Sequence, residues 1–192
     1  LAARRAGHAR LTVALGSLSE PLGAGRFAQG RQIVAGRILL GGGSHQAPGV
    51  AVWDLPADRL AEQDRQGCGW LDDLGAVGDG PAREIAQGWV AGWIDRYGSG
   101  TGPGWEPDLT GQRLLRWIGN AAFLRRGLDG VAEARLATSV ARQALFLSRR
   151  WQGVAPGLPR IQALAGLILA GLALRNRERL AGLGAAALAR EA

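Results

Sequence analysis

The sequence has a single cysteine and a single tyrosine, two histidines, no methionine and no lysine among its 192 residues. Each shortage removes a class of function. Cys68 stands alone, so neither an internal disulfide nor a thiolate metal cluster can form. His8 and His45 are far apart and too few for a metal site, and no metal or other cofactor is expected. Without lysine, all 23 basic residues are arginine, which together with 31 glycines fits the codon usage of a GC-rich genome. The net charge of +7 would suit a polyanion. The arginines are, however, scattered among 16 acids and form no block of like charge. Nucleic acid is therefore not an expected partner, because phosphate binding needs clustered cations.

Long apolar runs are also scarce. The start, LAARRAGHARLTVALG, is basic and then apolar, but Arg10 interrupts it and it lacks the apolar core of a signal peptide. The longest run, IQALAGLILAGLAL (161–174), is bounded by Arg160 and Arg175. It is too short to span a bilayer and reads as a buried helix, so no membrane partner is expected. With no methionine and a last residue inside a helical segment, the sequence reads as a piece of a longer protein, and the compartment stays open.

What is present is mostly helical. Residues 1–69 read as an irregular leader and residues 70–192 as a helical unit. In the leader, 4–15 suggests a helix. IVAGRILL (33–40) running into GGGSH suggests one or two short strands with a glycine turn. Trp53 and Leu55 look like an anchor onto the main body, and 54–67 holds at most a short helix. The texture then becomes helix, loop, helix: 81–97 opening at Pro81, 108–126 capped by Asp108 or Thr110, then 131–151, 160–174 and 177–192. Short connections predict antiparallel packing of consecutive helices. No fixed-period repeat is present.

Few residues carry obvious chemistry. Asp72 and Asp73 are adjacent, so on a helix they point about 100° apart and do not make an acid–base pair. They suit a helix N-terminus. GSGTGPGW (98–105) matches neither phosphate-binding fingerprint and reads as a loop whose end, with Trp105, could wall a cleft. Tyr97 reads as a half-buried helix end. The stretch GWEPDLTGQRLLRWIGNAAFL (104–124) is richer. With Arg113 at 0° on a wheel of about 100° per residue, Trp117 falls near 40° and Asn120 near 340°. Leu114, Ile118 and Ala121 lie well to one side. A guanidinium, an indole and an amide on one line suit a sugar: the ring stacks, the amide bonds hydroxyls, and the guanidinium grips a carboxylate or sulfate. The other reading is a buried Trp117 with an ion-paired Arg113.

GRQIVAGRILLGG, VWDLP, GWLDDLGAVGDGPAR, GWIDRYGSGTGPGWEPDLTGQRLLRWI, RQALFLSRRW and GLPRIQALAGLILAGLAL, in that order, resemble the N-terminal part of bacterial heparinase II/III family proteins. The resemblance covers roughly residues 25–192. It implies an incomplete (α/α) toroid of antiparallel helix pairs, here with a short irregular or β segment in front and a β-sandwich domain further along the same protein. It also implies a polysaccharide lyase that cleaves uronic-acid-containing glycans by β-elimination, with an acidic polysaccharide as partner.

Such chemistry needs a group that neutralises the uronate carboxylate and a Tyr or His that moves the C5 proton. Relatives carry those groups mostly further along, so no catalytic residue is assigned here. Arg113, Trp117, Asn120 and Trp105 are the expected substrate-binding residues. Two departures stand out: Gln66-Gly67-Cys68 precedes Gly69-Trp70 where relatives often have His-Gly-Phe, and Asn120 stands where relatives often have His. A toroid glycoside hydrolase and a non-catalytic glycan-binding scaffold are the alternative functions. The hydrolase would need a close carboxylate pair, for which Glu106 and Asp108 are the sequence candidates.

Overall fold

The computed structural model describes residues 1–11, 13–16, 24–175 and 177–191. Among them are ten α-helices and one two-stranded antiparallel sheet. Thr12 and Ala192, which fall in the first and last helices expected from the sequence, lie outside the described residues.

The first helix, α1 (Ala2–Gly7), is shorter than 4–15. Beyond it, Leu15 forms an isolated antiparallel bridge with Leu174. Gly16 N–H donates to the Ala173 carbonyl at 2.6 Å, so a long-range contact overrides local helix preference here. A second helix, α2 (Phe27–Val34), takes up residues that the strand pattern had claimed. The hairpin is β1 (Arg37–Leu40) and β2 (Gly43–Gln46), with Leu40 opposite Gly43. Its two-residue turn, Gly41-Gly42, has positive φ at both positions, as a hairpin following the twist of its strands requires. Ile38 and Leu40 point into the core while Leu39 is exposed, the period-two pattern of a half-buried strand.

The remaining helices are α3 (Arg59–Gly67), α4 (Gly69–Val77), α5 (Gly80–Tyr97), α6 (Pro107–Gly119), α7 (Ala121–Arg125), α8 (Gly130–Leu147), α9 (Leu158–Ala173) and α10 (Glu178–Leu188). Three start on an aspartate whose carboxylate accepts a backbone N–H three residues on: Asp58 from Ala61, Asp79 from Ala82 and Asp129 from Ala132. The start of α6 differs from expectation. Its cap is Glu106, without a side-chain cap bond; Asp108 sits in its first turn, and Thr110 Oγ1 donates back to the Glu106 carbonyl at 2.8 Å. The expected helix over 108–126 is also broken at Asn120, where α7 begins.

Packing departs from the simple sequential scheme. α8, α9 and α10 do pack as consecutive pairs, but α6 meets α9 more extensively than any other element. Two glycines allow it. A Cβ on Gly111 would sit 2.4 Å from Ala163 Cα, and one on Gly166 2.5 Å from the Gly111 carbonyl oxygen. One hydrophobic cluster includes residues on both sides of position 69, from Ile38, Leu40 and Trp53 to Trp70, Leu147 and Leu167. The leader thus shares its core with the helical unit. The anchor expected at Trp53 and Leu55 is present: both are buried, and the Trp53 indole N–H donates to the Trp89 carbonyl at 2.7 Å.

Candidate functional site: a polar cleft beside a buried arginine

Arg113 is wholly buried and carries no carboxylate partner among the described residues. Oxygen acceptors take its place. Nε donates to Gln143 Oε1 at 2.7 Å, Nη1 to the Gln66 carbonyl at 3.0 Å and Nη2 to the Gly104 carbonyl at 2.8 Å. Its guanidinium carbon lies 4.0 Å from the centroid of the Trp93 ring. Burial lowers the Arg113 pKa to about 10, with a smaller opposing influence from Cys68. Gly104 must be glycine for its carbonyl to come this close, because a Cβ there would meet Gln66 Oε1 at 2.1 Å.

Cys68 joins α3 to α4 with φ of 61°, the only non-glycine residue with positive φ among those described. Burial pushes its thiol up to about 11, against smaller opposing influences from Arg113, the Trp117 indole and Arg116. The Trp117 N–H has no acceptor at good hydrogen-bond geometry, so its effect on the sulfur is that of a nearby dipole.

These facts correct the expected binding stripe. Arg113, Trp117, Asn120 and Trp105 are all buried, and none lines a described cavity. The wheel separated them from the apolar side of α6, but α3, α4, α8 and α9 all pack on this helix and cover both sides. Trp117 packs edge-on against Trp93 at 5.4 Å, and Trp105 against Phe146 at 5.3 Å. The stripe is part of an aromatic core.

The accessible polar line of α6 is one position away. Asp108, Gln112 and Arg116, spaced four apart, line a cleft of about 550 Å³ shared with α2, α3, α4 and β1. Asp64, Gln63, Asp72, Asp73, Gln29 and Arg26 complete its polar lining, and the largely buried Trp70 borders it. Arg116 organises one wall: Nε donates to Asp72 Oδ2 at 3.1 Å and Nη1 to the Gly67 carbonyl at 2.6 Å. Asn120, at the inner end of this line, donates to Asp72 Oδ1 at 2.8 Å, so Asp72 is held from two sides. Asp73 instead accepts the Arg26 backbone N–H at 2.7 Å, in keeping with the divergence expected of adjacent helix residues. The cleft residues were legible as a polar i, i+4, i+8 run, but the neighbouring Arg–Trp–Asn line has the more conspicuous chemistry.

The other singled-out residues lie elsewhere. Tyr97 is half-buried against Trp53 and Trp93, at centroid distances of 5.9 Å in each case. His8 is exposed, and His45 lies on β2. Neither histidine nor the tyrosine reaches the cleft. Of the sequence-derived carboxylate pair, Asp108 lines it, while Glu106 is exposed at the start of α6 and does not. Compared with protein-family models, curated proteins and solved structures, the chain matches none.

Proposed function

We propose that this chain is the N-terminal helical part of a heparinase II/III-like polysaccharide lyase, its helices forming part of an incomplete (α/α) toroid. In this reading, a uronic-acid-containing glycan lies along the cleft between α2, α3, α4 and α6. The observation that carries it is the cleft itself: an open groove of about 550 Å³ lined by amides, carboxylates and guanidinium groups, a mixture that suits sugar hydroxyls. The ordered motifs resembling that family supply the reaction class. The groups that move the C5 proton would come from outside these 192 residues. The chain by itself would therefore bind glycan without cleaving it.

One observation favours a second reading, a toroid glycoside hydrolase. Asp64, Asp72, Asp73 and Asp108 all line the cleft, whereas no tyrosine or histidine does. A hydrolase needs two carboxylates about 5–10 Å apart across the scissile bond. Incubating the whole protein with uronate-containing polysaccharide separates the two. A lyase releases an unsaturated product that absorbs in the ultraviolet. A hydrolase releases reducing ends with no such absorbance. Neither product, with no glycan binding, would refute both.

A further inference from the structure

The two arginines of the cleft are both engaged by its own carboxylates. Arg116 is held by Asp72, by the Gly67 carbonyl and by Gln112 Oε1 at 3.3 Å. Arg26 faces Asp73 at 3.6 Å, and its backbone N–H donates to the same carboxylate. Two carboxylates remain. Asp64 accepts the Gly41 N–H at 2.7 Å, and Asp108 has no ion-pair partner among the described residues. Among the described residues, a uronate or sulfate entering here meets anions and no cation that lacks a carboxylate partner, an arrangement that disfavours like-charged partners. An uncharged sugar meets complementary groups. Its hydroxyls donate to the carboxylates and both donate to and accept from Gln29, Gln63 and Gln112.

We infer that the cleft holds an uncharged sugar unit, gripped through its hydroxyls by Asp64, Asp108 and the three glutamines, and disfavours uronate and sulfated units. The inference rests on the glycan reading above and narrows it: in an acidic polymer, the uronates flank this cleft rather than fill it.

The test is calorimetric titration of the 192-residue chain with oligosaccharides of equal length. A neutral panel (glucose, mannose and galactose units) is compared with an all-galacturonate series, at low and at high salt. At low salt the best neutral ligand binds about tenfold or more tightly than galacturonate, and high salt narrows the gap. Replacing Asp64 and Asp108 together (Asp64→Asn with Asp108→Asn) brings the two affinities toward each other, while Arg26→Gln, which leaves Asp73 without its cation, weakens galacturonate further and widens the gap. Thermal melts verify that the variants fold, as expected for exposed and half-exposed positions. Galacturonate binding as tight as neutral binding, and lost on Arg26→Gln, overturns the inference and leaves the glycan reading standing. Binding of neither series overturns both.

Discussion

Arg113 lies over the face of Trp93 while hydrogen-bonding the backbone carbonyls of Gln66 and Gly104. One side chain on α6 thereby ties together the end of α3, the loop before α6 and, through Gln143, helix α8. Trp93 is held in turn, its indole N–H donating to Gln66 Oε1 at 2.8 Å. The cation is paired with dipoles and a π-face instead of an anion, so its stability depends on every acceptor being in place.

Removing that cation should unfold the chain more readily than removing a surface charge. Arg113→Ala strands three acceptors and opens a cavity, and a loss of about 3–5 kcal/mol is expected. Arg113→Lys should recover little, because an ammonium cannot span the same fork of acceptors. Urea unfolding of the three proteins measures this. A loss below about 1 kcal/mol for the alanine variant would show the network to be unimportant.

The core placement of Trp117 predicts a separation between stability and binding. Trp117→Ala should lower stability by about 3–5 kcal/mol, the usual penalty for truncating a buried aromatic. Glycan affinity of whatever protein remains folded should be unchanged. A melt alongside an oligosaccharide titration checks both, and a selective loss of affinity would return Trp117 to the binding site.

Gly111 and Gly166 should tolerate no side chain. Either Gly→Ala change places a methyl group against backbone of the facing helix, and overpacking of this kind costs about 1–3 kcal/mol or more. Gly182, on α10, offers a control, because a Cβ there meets nothing within 4 Å. On an exposed helical position Gly182→Ala should stabilise, by up to about 1 kcal/mol. Thermal denaturation of the three variants decides it.

Cys68 predicts a pH dependence. Its thiol is pushed up from 9.0 to about 11 in the folded protein, chiefly by burial. As pH rises through 9, the unfolded chain releases this proton while the folded chain keeps it. Stability from this group is therefore flat below about pH 9 and falls from there toward pH 11. Between pH 9 and 10 the wild type should lose about 1 kcal/mol relative to Cys68→Ala, near the limit of 1.36 kcal/mol per pH unit for one proton. Arg113, lowered to about 10, acts with the opposite sign above that pH, so the comparison should stop there. Parallel stability curves for the two proteins would show that the thiol does not titrate differently on folding.

Much of the fold was legible locally. Asp58, Asp79 and Asp129 were not singled out from the sequence, yet their capping is local too: a short carboxylate reaches the N–H groups of the first turn, a relationship spanning only three residues. Gly41-Gly42 announces the hairpin for a similar reason, since two consecutive positive-φ positions suit glycine. The apolar run 161–174 became most of α9, buried on one side while Ile161 and Leu172 stay exposed, and the shortage of cysteine and histidine rules out an internal disulfide and argues against a metal centre.

Three-dimensional packing decided the rest. The end of the expected first helix was lost to pairing of Leu15 with Leu174, a contact no local window contains. The site moved by one helical line for the same reason. A wheel assigns angles around α6, but which angle meets a neighbour depends on where α3, α4, α8 and α9 lie. Those helices seal Arg113 and Trp117 inside and leave Asp108, Gln112 and Arg116 on the cleft. The sequence by itself therefore determined where most helices and the glycine turn fall, though not their ends, because those preferences act over a few bonds. Which of two polar lines on one helix meets solvent was decided only by the tertiary structure, because burial is a property of the surrounding chain.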